Sequence, residues 1–317
     1  MTSNTYLVWL EWPERCFRAS AEDICALEKM VPSLSRVIRV RSEKAFLKAL
    51  PSATHAIVWN FKKEWFSLAP RLKVLATPAA GREFVPETGP NGVKVSFGSF
   101  HGPIIAENVA AFILAWARGF FALRNAPESA GAWPRTWLSD KCTLVSGTHA
   151  VIAGFGNIGR AVAKKLSALG VSVTGITRHG SFRVSNKKKL LSEEELFSDI
   201  SRADWFILAL PSTTGTDGFF GRKMISRLPR KTVLINVGRG NAVDEKALYA
   251  ALKTSRLAGA YLDVRRSEPS ATVLHTPGFV PELSALPNCV STPHSSAFDG
   301  RYIKMCFEEL AKKGLLK

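Results

Sequence analysis

Long apolar runs are missing from this chain. Its most hydrophobic stretch, residues 109–117, stops at Arg118 and falls short of the ~18 residues that a membrane-crossing helix needs. That stretch is expected to be a buried or interfacial helix, with no membrane partner. The first fifteen residues lack a basic patch leading into an apolar core, so 6–10 is read as a strand and not as a secretion signal. Cysteine is sparse. Cys16, Cys25, Cys142, Cys289 and Cys306 are odd in number and scattered, with no Cys-x-x-Cys or Cys/His cluster. Neither a disulfide framework nor a structural metal is expected, and a reducing compartment follows. The ending Gly314-Leu315-Leu316-Lys317 is not the peroxisomal Ser-Lys-Leu signal, which leaves cytoplasm as the default. Internal repeats and low-complexity tracts are absent too.

Acid is scarce: 26 Asp and Glu face 43 Lys and Arg, for a net charge of +17. The basic residues are spread along the chain, and their longest run is Lys187-Lys188-Lys189. Without interleaved aromatics or a nucleic-acid reader motif, such a surface is read as one that attracts anionic small molecules, and no nucleic-acid partner is expected.

What the chain has is alternation. Strand-like runs at 6–10, 36–40, 56–59, 72–76 and 93–97 are separated by amphipathic stretches such as 21–30 and 42–50. Strands spaced by helices imply a parallel sheet with covered faces. Two loops at strand ends can face a ligand there. One is Trp59-Asn60-Phe61; the other is Pro78-Ala79-Ala80-Gly81-Arg82, readable as a plain glycine turn or as free amides for a carboxylate with Arg82 nearby. Residues 99–103 have hinge composition, and a long helix is expected over 105–123, followed by a loop-rich arm at 126–137.

The chemical signal lies further on. The apolar run 150–153 meets Gly154-Phe155-Gly156-Asn157-Ile158-Gly159 and passes into a helical pattern at Ala161, Val162, Ala163, Leu166 and Leu169. A strand, a glycine turn and a helix N-terminus form a dinucleotide pyrophosphate site. Strands at 171–176, 205–210, 233–237 and 259–264, with helices at 192–200 and 242–252, extend it into a doubly wound domain. A last helix, 299–313, returns to the first domain. NAD sites place an acid about twenty residues past the glycines, at the end of the second strand. Here that strand ends Gly175-Ile176-Thr177-Arg178-His179. Thr177 and Arg178 suit a 2′-phosphate, and Arg183 and His179 can reinforce the field, so NADP is preferred over NAD.

Arg239 between two glycines, Asp263, Glu268 and His294 complete the set. Each alone reads as a salt bridge, a cap or a turn residue. Together with 154–159 they are identified as a pattern, carried by Leu208-Ala209-Leu210-Pro211, Ile235-Asn236-Val237-Gly238-Arg239-Gly240, Val243-Asp244-Glu245, Leu262-Asp263-Val264, Glu268-Pro269 and Thr292-Pro293-His294. On these motifs the sequence resembles the D-isomer-specific 2-hydroxyacid dehydrogenase family over nearly its whole length.

The resemblance implies two doubly wound α/β domains. A Rossmann cofactor domain, 99–294, would be inserted in a flavodoxin-like substrate domain, 1–98 completed by 295–317, with the active site in the cleft between them. It implies that Arg239 binds the substrate carboxylate and polarises its oxygen, that His294 is the acid/base, and that Glu268 holds the imidazole and raises its pKa. It further implies that Asn60, Ala80 and Gly81 bind substrate, that Asp263 sits near the nicotinamide, and that Leu210, Pro211, Thr216, Val237 and Gly238 join Gly154, Gly156, Asn157, Ile158 and Gly159 around the cofactor. The helix 105–123 and its arm would form a homodimer contact. Three stretches depart from the family: Gly238 stands where Ala, Ser or Thr is usual, Arg265-Arg266 replaces apolar or acidic residues, and the loop 270–286 is long. The expected activity is reduction of a small 2-oxo acid such as glyoxylate or hydroxypyruvate. A non-catalytic dinucleotide sensor that binds partner proteins is the alternative.

Overall fold

The computed structural model describes residues 4–186, 190–268 and 280–317. The run 187–189, and in the motifs above Pro269 and most of the loop 270–286, lie outside the described residues. The chain divides into two compact units, Met1–His101 with Phe298–Lys317, and Gly102–Ala297.

The first unit is built on β1 (Thr5–Trp9), β2 (Arg36–Arg39), β3 (His55–Val58), β4 (Val74–Thr77) and β5 (Lys94–Phe97). All pair in parallel, in the order β2-β1-β3-β4-β5, which is the flavodoxin-like order. Helix α1 (Ala21–Met30) starts where Ser20 and Asp23 exchange side-chain and backbone bonds in a capping box, satisfying amides that the first turn leaves open. Helix α2 (Glu43–Ala49) is capped by Ser42. Leu7, Phe46, Leu50, Val58, Trp65 and Leu75 form the core.

The second unit opens with α3 (Gly102–Ala117), α4 (Phe120–Arg124) and α5 (Arg135–Ser139). The single helix expected over 105–123 is therefore two. The break is Gly119, at φ 73°, where a Cβ would come within 2.9 Å of the Leu138 side chain. The sheet follows: β6 (His149–Ala153), α6 (Asn157–Ala168), β7 (Ser172–Thr177), β8 (Gly180–Arg183), α7 (Glu193–Ile200), β9 (Trp205–Leu208), α8 (Arg222–Ile225), β10 (Val233–Asn236), α9 (Glu245–Lys253), β11 (Gly259–Leu262), α10 (Pro281–Ser284) and β12 (Cys289–Ser291). The chain then returns to the first unit as α11 (Tyr302–Lys312).

The order β12-β11-β10-β9-β6-β7-β8 is the doubly wound parallel sheet expected for this unit, with one edge strand the sequence reading did not include, β8, paired antiparallel with β7. Alternate residues of each strand enter opposite cores. Val151, Ala153, Phe206, Leu208 and Leu234 face one, while Ala150, Ile152, Ile207 and Ile235 face α3 and α6 in the other. A sheet buried on both faces has nowhere to put polar chemistry except its strand ends. The strand order reverses between β6 and β9, so their carboxyl ends flank the crevice where such sheets bind ligands.

Replacing Gly119 by Ala should cost about 1–2 kcal/mol, because an L side chain is strained at that φ and meets Leu138. Urea unfolding should show a lower midpoint at unchanged slope.

Candidate functional site

At the end of β6 the glycines divide their work. A Cβ on Gly154 would lie 2.4 Å from Ala209 O, and one on Gly159 2.1 Å from Gly154 O. Side chains there would push strand, loop and helix apart. A Cβ on Gly156 would meet nothing within 4 Å, so open space faces the N-terminus of α6. Among the described residues, the amides of Gly156, Asn157 and Ile158 have no acceptor in the chain, as an anion site requires. The Asn157 side chain is held by Arg160 Nη2 at 2.7 Å.

The end of β7 differs from its sequence reading. Thr177 Oγ1 donates to Gly180 O at 2.8 Å and accepts from His179 N at 3.1 Å. That hydroxyl closes the β7–β8 turn, so its proton is already committed. Arg183 is engaged by the fully buried Asp199 through Nε and Nη2, both at 3.0 Å, and its charge serves the fold. Asp199 also receives Thr174 Oγ1 at 2.6 Å and Arg202 Nη2 at 2.7 Å. Arg178 is exposed at the tip of the turn.

The ends of β9 and β10 touch. A Cβ on Gly238 would fall 2.6 Å from both N and O of Leu210, so glycine at this position draws the β10 loop tightly against 209–211. Asn236, fully buried at the end of β10, accepts from Gly238 N at 3.1 Å and donates to Arg239 O at 3.1 Å. It fixes the backbone on both sides of Val237 and aims Arg239. A polar residue closing an apolar strand was its sequence signal, since a buried amide must find partners. Thr216 Oγ1 donates to Pro211 O at 2.7 Å and shapes the loop after β9.

The ends of β11 and β12 bring Asp263, Glu268 and His294 together. Asp263, buried, accepts from Thr292 Oγ1 at 2.6 Å, Ser295 N at 2.8 Å and Ser296 N at 3.1 Å, while its carbonyl takes His294 N at 2.8 Å. Sequence reading placed Asp263 by the nicotinamide; in the structure its carboxylate anchors the His294 turn. His294 sits at φ 52°, and its Nδ1 is 3.0 Å from Glu268 Oε2. Glu268 Oε1 accepts from Arg265 N at 3.3 Å.

The electrostatics are reciprocal. Burial pushes the Glu268 carboxyl up, but the His294 bond and charge, the Arg265 N–H and the Arg239 charge together hold it below its ordinary value. The Glu268 hydrogen bond raises the His294 imidazole, burial and Arg239 oppose, and Glu268 and Asp263 add as charges, for a net rise. At the half-exposed His294 the direct bond to Glu268 outweighs burial. The result is an imidazole biased toward its protonated form.

In the first unit, Thr77 Oγ1 donates to Trp59 O at 3.3 Å and accepts from Ala79 N at 3.2 Å, tying the ends of β3 and β4. Asn60 and Ala80 are exposed beyond them. Among the described residues, the amides of Ala80 and Gly81 have no acceptor. Arg82 instead pairs with Glu87 at 2.8 Å and lies over the Phe97 ring, so it is already engaged. Among the described residues no cluster of His, Cys, Asp or Glu could hold a metal ion, and no helix is long and apolar enough to cross a membrane.

The chain is similar to known proteins. The family described as "D-isomer specific 2-hydroxyacid dehydrogenase, NAD binding domain" matches residues 110–296. A glyoxylate reductase of Thermococcus kodakarensis is 31% identical over 280 residues, covering 84% of this chain and 78% of that protein. Among solved structures, a D-isomer specific 2-hydroxyacid dehydrogenase from Lactobacillus delbrueckii ssp. bulgaricus in NAD-complexed form superposes with a TM-score of 0.75 at 20% identity, over 98% of this chain and 96% of that one. Another, from Xanthobacter autotrophicus Py2 in complex with NADPH and MES, gives 0.71 at 23% identity over 99% and 96%. At those identities the likeness speaks for the fold.

The His294–Glu268 bond has a definite pH sense. The raised imidazole stabilises the fold fully below the ordinary histidine pKa and loses that contribution as pH rises through its folded value; the depressed carboxyl contributes above its ordinary value and loses it on acidification. Glu268→Gln removes the main cause of the imidazole's rise. In an NMR titration the His294 ring should then protonate at lower pH than in the parent protein.

Proposed function

Since the chain belongs to the D-isomer specific 2-hydroxyacid dehydrogenase family, we propose that it reduces a small 2-oxo acid, glyoxylate or hydroxypyruvate being the leading candidates, to the 2-hydroxy acid at the expense of NADPH in preference to NADH. The observation that carries this reading is the His294–Glu268 pair at the end of β11 and β12, within the field of Arg239 at the end of β10.

Reduction of a 2-oxo acid builds negative charge on the carbonyl oxygen as hydride reaches carbon. That oxygen needs a fixed cation and a proton donor. Arg239, aimed by Asn236, supplies the guanidinium, which also suits a carboxylate. His294 gives its Nε2 proton to the oxygen, and Glu268 stabilises the imidazolium before the transfer and keeps the ring in place after it. The amides of Ala80 and Gly81, with Asn60, are the groups of the first unit assigned to the substrate carboxylate.

A bound nicotinamide dinucleotide supplies the hydride. The residues fit it: the amides of Gly156, Asn157 and Ile158 would hold the pyrophosphate, with room left by Gly156. Leu210, Pro211, Val237 and Gly238 occupy the ends of β9 and β10 beside that crevice. Arg178, exposed where an NAD site carries an acid, supports the NADPH preference. Proteins of this fold take either cofactor, as the NAD and NADPH complexes of the Lactobacillus and Xanthobacter enzymes illustrate.

The exposed apolar Leu114, Phe120, Leu123, Trp133 and Leu144 all lie within 102–144, and exposed apolar side chains grouped on one segment mark interaction sites. They support a homodimer through this segment. Light scattering should report a dimer that Phe120→Asp with Trp133→Asp reduces to a monomer.

In an assay of NADPH oxidation with a panel of 2-oxo acids, Arg239→Ala and His294→Ala should each lower kcat/KM by about 10²–10⁴. Oxidation of no 2-oxo acid would overturn the reading. Arg178→Ala should raise the KM for NADPH and leave that for NADH unchanged; an unaltered preference would overturn the phosphate assignment.

A further inference from the structure

The Arg265–Glu245 pair is unusual in being wholly buried, with 6% and 5% of the side chains exposed. Arg265 Nε and Nη2 grip the two Glu245 oxygens at 3.0 Å each, Nη1 donates to Ser284 Oγ at 2.9 Å, and Nη2 also reaches Val280 O at 2.8 Å. Glu245 takes a third bond from Arg266 N at 2.9 Å, and Ser284 Oγ donates onward to Ser291 Oγ at 3.2 Å, at the end of β12. One guanidinium thus ties α9, α10 and, through Ser284, the strand that leads into His294.

A core does not need such a pair. Taking two charges out of water costs several kcal/mol per ion, and apolar side chains of similar volume often do as well. Leu248, on the same helix as Glu245, and Leu283, next to Ser284, belong to the apolar core, with Val280 packed against it. What an apolar residue would not do is fix the 265–266 peptide. That peptide borders two groups of the reaction. The Arg265 N–H just before it is the one that Glu268 Oε1 accepts, and the peptide's own carbonyl carbon and oxygen lie 1.9 and 2.0 Å from where a Cβ on Gly240, next to Arg239, would be.

We infer that the buried Arg265–Glu245 pair is a positioning device for the reaction, holding the backbone that orients Glu268 toward His294 and backs the Arg239 loop. The inference rests on the acid/base assignment above. Other charged groups face the same region: Arg239 and Asp263 act on His294, and Arg266, which bonds Asp217, lies one residue on. None of these touches Glu245 through its side chain in the bonds described.

The test compares Arg265→Met/Glu245→Met, which removes both charges together, with Glu268→Gln. In the double variant kcat should fall about tenfold, a part of the ~10²–10⁴ that a placed general acid contributes, while KM changes less than about twofold. The alkaline limb of the kcat profile and the His294 NMR titration should both move to lower pH, toward their positions in Glu268→Gln. A folded double variant with the parent kcat, limb and titration overturns the inference and leaves the acid/base assignment standing. If Glu268→Gln itself moves neither limb nor titration, the assignment fails and the inference falls with it. Should the double variant not fold, Glu245→Gln is measured in the same way and must move both readouts in the same direction.

Discussion

The Asp263 carboxylate, buried at the end of β11, is solvated by the protein in place of water: Thr292 Oγ1 and the amides of Ser295 and Ser296 point at it, and its own carbonyl accepts His294 N. A buried charge with such partners sets terms for its neighbours, because moving any of them strips hydrogen bonds that water cannot replace. His294 is therefore kept in a left-handed conformation that a histidine seldom adopts. In that conformation its Nδ1 meets Glu268. The imidazole is thus oriented by a carboxylate to which its own ring makes no described hydrogen bond.

The same logic governs the rest of the strand ends. The second sheet packs apolar residues on both faces, and Asn236, Asp263 and His294 gather at its carboxyl edge. Two loops there are tied by a buried polar residue at the strand end, Asn236 after β10 and Asp263 after β11, as Thr77 ties the loop after β4 in the first unit. Close backbone approach does the remaining work, at Gly154 against Ala209 and Gly238 against Leu210. Rigidity at these ends is what lets a half-exposed pair such as Glu268 and His294 keep one geometry.

Most of this architecture could be read before any coordinates. Apolar runs of strand length, glycine spacing at 154–159 and alternation of strands with helices are local signals, and they located the two sheets and the glycine turn before α6; Arg239, Glu268 and His294 were singled out by the family resemblance, and the structure pairs the last two. What escaped was non-local. The β7–β8 hairpin is made by Thr177 bonding Gly180 and by Arg183 finding Asp199 sixteen residues away. Arg183 and Thr177 therefore looked available for a phosphate when their donors were already engaged. Gly119 lay within a helical pattern whose hydrophobic periodicity runs on past it. Arg265 read as a charge out of place, because its partner Glu245 is on another element. A residue's type is visible in sequence; whether its hydrogen bonds are already spent is not.

The division of the chain at His101 and Phe298 has a consequence for synthesis. The second unit is continuous, whereas the first needs α11, whose Ile303, Cys306, Phe307 and Leu310 are buried and whose Glu309 accepts from the Ser99 amide. On the ribosome the middle of the chain has all its parts while the opening five strands still wait for their last helix. Until that helix emerges, the amino-terminal third is a sheet without part of its cover, and the nascent chain is at its most vulnerable to chaperone capture and to association through exposed apolar surface.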